Sequence, residues 1–187
     1  MIEVQPCNQA LFIGPLPAPN NMGVCFSLSI HWLANDCEDV MFQSVADSAL
    51  AAYGPGSANR LNQMQNAGNM MAGGGITLQT LVAMAQALYS NINQVVPVPA
   101  SALSFGNLFA AFTLALYDES IVWLQNPLVA GDRGHVVAYN RRSGRFYDAN
   151  NGSYNEEVDL HSEMASFIVH EYENTYTHFQ VFSLDIH

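Results

Sequence analysis

Lysine is missing from this chain altogether. The positive charge in its 187 residues comes from five arginines (Arg60, Arg133, Arg141, Arg142, Arg145), set against sixteen acidic residues, and the formal net charge is −11. Such an acidic chain repels phosphate backbones and anionic headgroups. This argues against nucleic acid or an anionic membrane surface as partner and mildly favours a basic one. The absence also removes every side chain that could carry ubiquitin, as expected of a protein selected for a long life in a eukaryotic cytosol; compositional drift gives the same absence. Half the residues are hydrophobic, yet no apolar run reaches the ~18 residues that would span a bilayer. Met1-Ile2-Glu3-Val4-Gln5-Pro6 lacks the basic-then-apolar order of a secretory signal, so export is expected by a route that reads no such signal. Three cysteines, Cys7, Cys25 and Cys37, are an odd number without C-x-x-C spacing. Neither a disulfide framework nor a zinc site is indicated, and a reduced compartment fits. Gly73-Gly74-Gly75 has no lysine after it and no clear strand before it, so it reads as a hinge or tight turn and not a phosphate loop.

What the chain does have is a conspicuous cysteine. Pro15, Pro17 and Pro19 lead to Asn20-Asn21-Met22-Gly23-Val24, and Cys25 then opens an apolar run through Leu33. The run predicts a helix to about Ala34, apolar on nearly all faces and therefore buried. A thiol in a helix's first turn meets free N–H groups and the positive end of the dipole, which favour the thiolate. Cys25 thus reads either as a nucleophile or as a small buried residue at a loop–helix junction.

Further helices are expected from Asp36 to the Gly54-Pro55-Gly56 break, from Ser57 to Met71, from Thr77 through Leu88, and from Phe105 to Leu116. Gln94 to Val98 reads as an edge strand because Pro97 and Pro99 cannot complete a central ladder. After Tyr117 the pattern changes. Strands are expected at 121–124, 134–140 and 145–149, then a helix over 159–171 and a closing strand from His178 to Ile186. Helices first and an antiparallel sheet afterwards predict an α+β fold. The expected organisation is a single catalytic domain over 1–187: an N-terminal extension (1–19), a mainly helical half (20–116) and a mainly antiparallel half (117–187).

Among six histidines, His135 stands out because it follows Gly134 at the start of a strand. If the hairpin loop is Arg141 to Gly144, Asn140 pairs with Arg145 and Val137 with Asp148. His135 is then the diagonal neighbour of Asp148 on one face, with Cβ atoms ~7–8 Å apart and a His–Asp hydrogen bond within reach. An odd-length loop would separate them to opposite faces. A cysteine nucleophile needs a base and a group to orient that base. Cys25, His135 and Asp148 offer that set, while His31, His161, His170, His178 and His187 read as structural or solvated.

These segments resemble the papain-like cysteine peptidases, and most closely the YopT-type bacterial effector proteases. There a G-x-C motif opens a central helix, a G-H-x-x-A segment begins a later strand, and a (F/Y)-(F/Y)-D-x-N-x-G segment follows. The counterparts are Gly23-Val24-Cys25, Gly134-His135-Val136-Val137-Ala138 and Phe146-Tyr147-Asp148-Ala149-Asn150-Asn151-Gly152. The resemblance spans 20–152 and implies a papain-like fold, with Cys25 as nucleophile, His135 as general base and acid, and Asp148 orienting it. It also implies a side-chain amide as oxyanion donor beside the Cys25 N–H; Asn20 matches that position and Asn21 is the fallback. No metal or cofactor is needed. The implied activity is hydrolysis of a specific protein in a target cell. A glutamine deamidase or transglutaminase-like toxin uses the same three groups and stays open, as do a cell-wall amidase and a non-catalytic interaction module. Only 24 residues precede Cys25, fewer than in better-known members, so either a trimmed catalytic domain or a small stand-alone toxin is expected. Manufacture in a bacterial cytoplasm, delivery by a type III or type VI-like route, and a cognate immunity protein or chaperone complete the expectation.

Overall fold

The computed structural model describes residues 1–6, 8, 25–34, 92–129 and 134–186. The helices expected between 36 and 88, the Gly73–Gly75 hinge, Asn20 and Asn21 lie outside them.

Among the described residues eight strands form one sheet: β1 (Ile2–Pro6), β2 (Ile92–Pro97), β3 (Ser101–Ala102), β4 (Glu119–Gln125), β5 (His135–Asn140), β6 (Arg145–Asp148), β7 (Gly152–Asn155) and β8 (His178–Ile186). Their spatial order is β1-β7-β6-β5-β4-β8-β2, with β3 beside β8, and every pairing is antiparallel. Among the described residues the helices are α1 (Cys25–Ala34), α2 (Phe105–Leu114) and α3 (Leu160–Tyr172). The architecture is α+β. Both edges of the sheet carry a shift of register, in β1 between Glu3 and Gln5 and in β2 between Ile92 and Gln94. Such irregularities blunt an edge against pairing with other chains. Pro97 ends β2, where its missing N–H is tolerated.

Strand periodicity divides the core between the two faces of the sheet. Ile121, Trp123, Val136, Ala138, Tyr147, Phe182 and Leu184 pack against α1, whose Phe26, Leu28, Ile30, Trp32 and Leu33 are all buried. The alternate residues Val122, Leu124, Val137, Tyr139, Phe146, Phe179 and Val181 pack against α2 and α3. Trp32 stacks on Tyr147 with centroids 5.5 Å apart, and Ser29 Oγ donates to the Val136 carbonyl at 3.3 Å. The helix is thereby tied to β5 and β6. Ser104 caps α2 by accepting from the Asn107 N–H at 3.3 Å, and Asp159 caps α3 by accepting from the Ser162 N–H at 3.1 Å.

The β5–β6 turn holds Gly144 at φ +65, a left-handed conformation that favours glycine. Asn140 pairs with Arg145 and Val137 with Asp148, the register a loop of Arg141 to Gly144 requires. The expected edge strand at Gln94 to Val98 appears as β2 (Ile92–Pro97), while β1 and β3 were not expected from the sequence. Residues 2–6 add a strand to the sheet through β7. β3 (Ser101–Ala102) is a two-residue strand beside β8.

Candidate active site

His135 is the first residue of β5, and Asp148 is the last of β6. Strand alternation sets both side chains on the face that carries Val137, one diagonal step apart. His135 Nε2 lies 2.8 Å from Asp148 Oδ1, and both side chains are buried. With Nε2 donating to the carboxylate, Nδ1 is the ring nitrogen left for a second partner. Cys25, the first residue of α1, acts on the His135 ring through a hydrogen bond and its charge, from the helix on the opposite face of the sheet. The end of β5 is therefore where the two halves of the core meet.

The Asp148 carboxylate is fully enclosed. Oδ1 also accepts the Asn150 backbone N–H at 2.8 Å, while Oδ2 accepts the Asn151 side-chain amide at 3.0 Å and the Tyr172 hydroxyl at 2.5 Å. Burial pushes this carboxyl up, but the charge and hydrogen bond of His135, with the Tyr172 and Asn150 donors, outweigh it and hold it below its ordinary value. Burial lowers His135, but the Asp148 charge and hydrogen bond, and then Cys25, carry it up to about 10. At Cys25 burial pushes the thiol up; the hydrogen bond and charge of His135, with backbone hydrogen bonds from Val136 and Phe26, bring it below its ordinary value. Each direction favours the charged form of its group: the Cys25 thiolate, the His135 imidazolium and the Asp148 carboxylate.

Such a set can deliver a sulfur nucleophile and then a proton from the same ring. Cys25 also lies in the first turn of α1, where backbone N–H groups have no partner within the helix and can face a developing oxyanion. The structure thus brings Cys25, His135 and Asp148 together, whereas Asn20 and Asn21 lie outside the described residues. His170 is exposed, His178 Nδ1 bonds the Thr177 hydroxyl at 2.9 Å, and His161 packs among Phe109, Phe112 and Tyr139. Sequence reading missed Tyr172. It continues the four-residue spacing of Leu160, Met164 and Ile168, all buried, so the inward stripe of α3 was the available signal.

The fold is thus α+β with an antiparallel sheet flanked by helices, and a solved structure shares it. It is similar to the crystal structure of the Pseudomonas avirulence protein AvrPphB, with a TM-score of 0.56 and 16% sequence identity over 89% of this chain and 94% of that one. At that identity the likeness is one of fold. No family model and no curated protein sequence matches the chain.

Proposed function

We propose that the chain is a papain-like cysteine peptidase of the YopT type, one catalytic domain over 1–187, which cleaves a specific protein inside a target cell. The carrying observation is the placement of His135 between two partners, with Nε2 on Asp148 at 2.8 Å and a hydrogen bond to Cys25 at the start of α1. In this reading the Cys25 sulfur attacks the scissile carbonyl. His135 protonates the leaving amine, and water then hydrolyses the thioester with His135 as base. Asp148 fixes the ring and its tautomer. The Cys25 N–H and the Asn20 amide receive the oxyanion, a donor of this kind being worth ~10²–10³ in rate. No cofactor takes part in these steps.

The fold shared with an avirulence protein supports delivery of the chain by a bacterium into another cell. Among the described residues no helix is long and apolar enough to cross a membrane. The delivery route, type III or type VI-like, and a cognate immunity protein or chaperone belong to the same proposal. The test is to express wild type and Cys25→Ala in target cells and compare protein N-termini by mass spectrometry. New N-termini that depend on Cys25 are expected. A target that gains mass with its chain intact would instead mark a glutamine deamidase, and identical profiles would contradict both.

A further inference from the structure

Asp148 has two carboxylate oxygens, and only one of them faces His135. The other, Oδ2, is held from a different element altogether. Tyr172, on the last turn of α3, donates its hydroxyl to Oδ2 at 2.5 Å, beside the Asn151 amide on the same oxygen at 3.0 Å. Its ring also lies against the imidazole, with centroids 5.1 Å apart and planes inclined by 40°. One side chain therefore touches both members of the His–Asp pair.

We infer that Tyr172 is a positioning residue, which clamps Oδ2 so that Oδ1 stays aimed at His135 and which covers the imidazole on its α3 side. The inference rests on the cysteine-nucleophile reading and adds a residue to it. A carboxylate can rotate about its Cβ–Cγ bond, and a clamp on one oxygen fixes the direction of the other. Tyr172 can do this because its phenol stays protonated. Burial and the Asp148 charge push its pKa far above the ordinary value, so it donates throughout the working range. The Asn151 amide donates to the Tyr172 oxygen as well, at 3.2 Å, so the clamp is itself oriented.

Groups from several elements bear on the carboxylate: His135 on β5, Cys25 on α1 through the His135 ring, Tyr172 on α3, and Asn150 with Asn151 after β6. Tyr154 on β7 feels the Asp148 charge, and Tyr176 packs against Tyr172 at 5.9 Å. Removing the Tyr172 hydroxyl takes one stabilising donor from the ionised carboxylate, which then accepts a proton more readily as pH falls. His135 loses its countercharge at that point, and Cys25 loses its thiolate.

The experiment is the pH dependence of Cys25 alkylation by iodoacetamide in wild type, Tyr172→Phe and Tyr139→Phe, the last removing a buried phenol hydroxyl at the other end of β5. Tyr172→Phe is expected to raise the acid limb by about one pH unit, the size of a lost hydrogen bond to a charged group. Tyr139→Phe is expected to leave the limb in place. Fluorotyrosine at position 172, a more acidic phenol of nearly the same shape, is expected to move the limb downward and covers the case in which Tyr172→Phe fails to fold. Coincident limbs in wild type and both position-172 variants, with rapid wild-type alkylation, would overturn the role of Tyr172 alone. Slow wild-type alkylation of Cys25 would overturn the nucleophile reading and this inference with it.

Discussion

Asp148 is a charge taken out of water, and four donors meet its two oxygens. A buried charge that loses its partners, or partners that lose their charge, cost far more than a surface pair. Asp148→Ala is therefore expected to destabilise the protein by about 3–5 kcal/mol in urea titration, by removing one member of a buried pair. The pH dependence has a definite sign. The folded carboxyl lies below its ordinary value of 3.8, so its share of stability is present above that pH and lost as pH falls through the folded value. The stability gap between wild type and Asp148→Asn is expected to narrow as the solution is acidified below 3.8, and a gap that stays constant there would contradict the account. His135 runs the other way. Its contribution is fully present below 6.5 and is lost as pH rises through about 10.

At the scale of elements, the site depends on how α1 and β5 are seated. Trp32 is 1% exposed, stacked on Tyr147, with the Arg145 guanidinium 5.9 Å from its ring. Trp32→Ala is expected to cost about 3–5 kcal/mol in thermal or urea unfolding, as large aromatic truncations in a core do. At the entry to β5, Gly134 has φ +68, and an added Cβ would stand 2.2 Å from the Leu124 carbonyl oxygen and 2.4 Å from Trp123 Nε1. Neither backbone nor buried indole can yield that space cheaply. Gly134→Ala is expected to lose Cys25 reactivity and to lower the melting temperature; wild-type values for both would show that β5 is not anchored there.

The β5–β6 hairpin was legible from sequence because its period-two pattern and four-residue loop leave one register that buries Val137, Tyr139 and Phe146 on a single face. α1 was legible for a similar reason, being apolar all round. β1 and β7 were not. Each is an edge or next-to-edge strand of four or five residues; β1 finds its partner across the length of the chain, and β7 lies between β1 and the preceding strand β6. Gly152-Ser153-Tyr154-Asn155 has little strand propensity of its own. Tyr172 escaped notice because its partners lie on other elements: only tertiary packing brings the end of α3 to Asp148.

For the whole molecule, charge is the most distinctive property. The described arginines sit at the β5–β6 turn, the end of β5 away from His135. Arg141 and Arg142 both bond Asp118, and Arg145 lies against Trp32. With a net charge of −11, a basic substrate segment should be drawn in by the field of the molecule. Cleavage of a basic peptide is expected to show a KM that rises with ionic strength, while the KM of an acidic peptide of similar length starts higher and falls toward it; insensitivity to salt would remove electrostatics from substrate choice. All of this depends on Cys25 being an activated thiol. The most direct measurement is the rate of iodoacetamide alkylation at each cysteine, resolved by mass spectrometry, in wild type and His135→Ala. The predicted result is that Cys25 reacts at pH values below the ordinary thiol range and faster than Cys7 and Cys37, with the advantage abolished in His135→Ala. Cys25 reacting no faster than the other two, or retaining its rate without His135, would contradict the account.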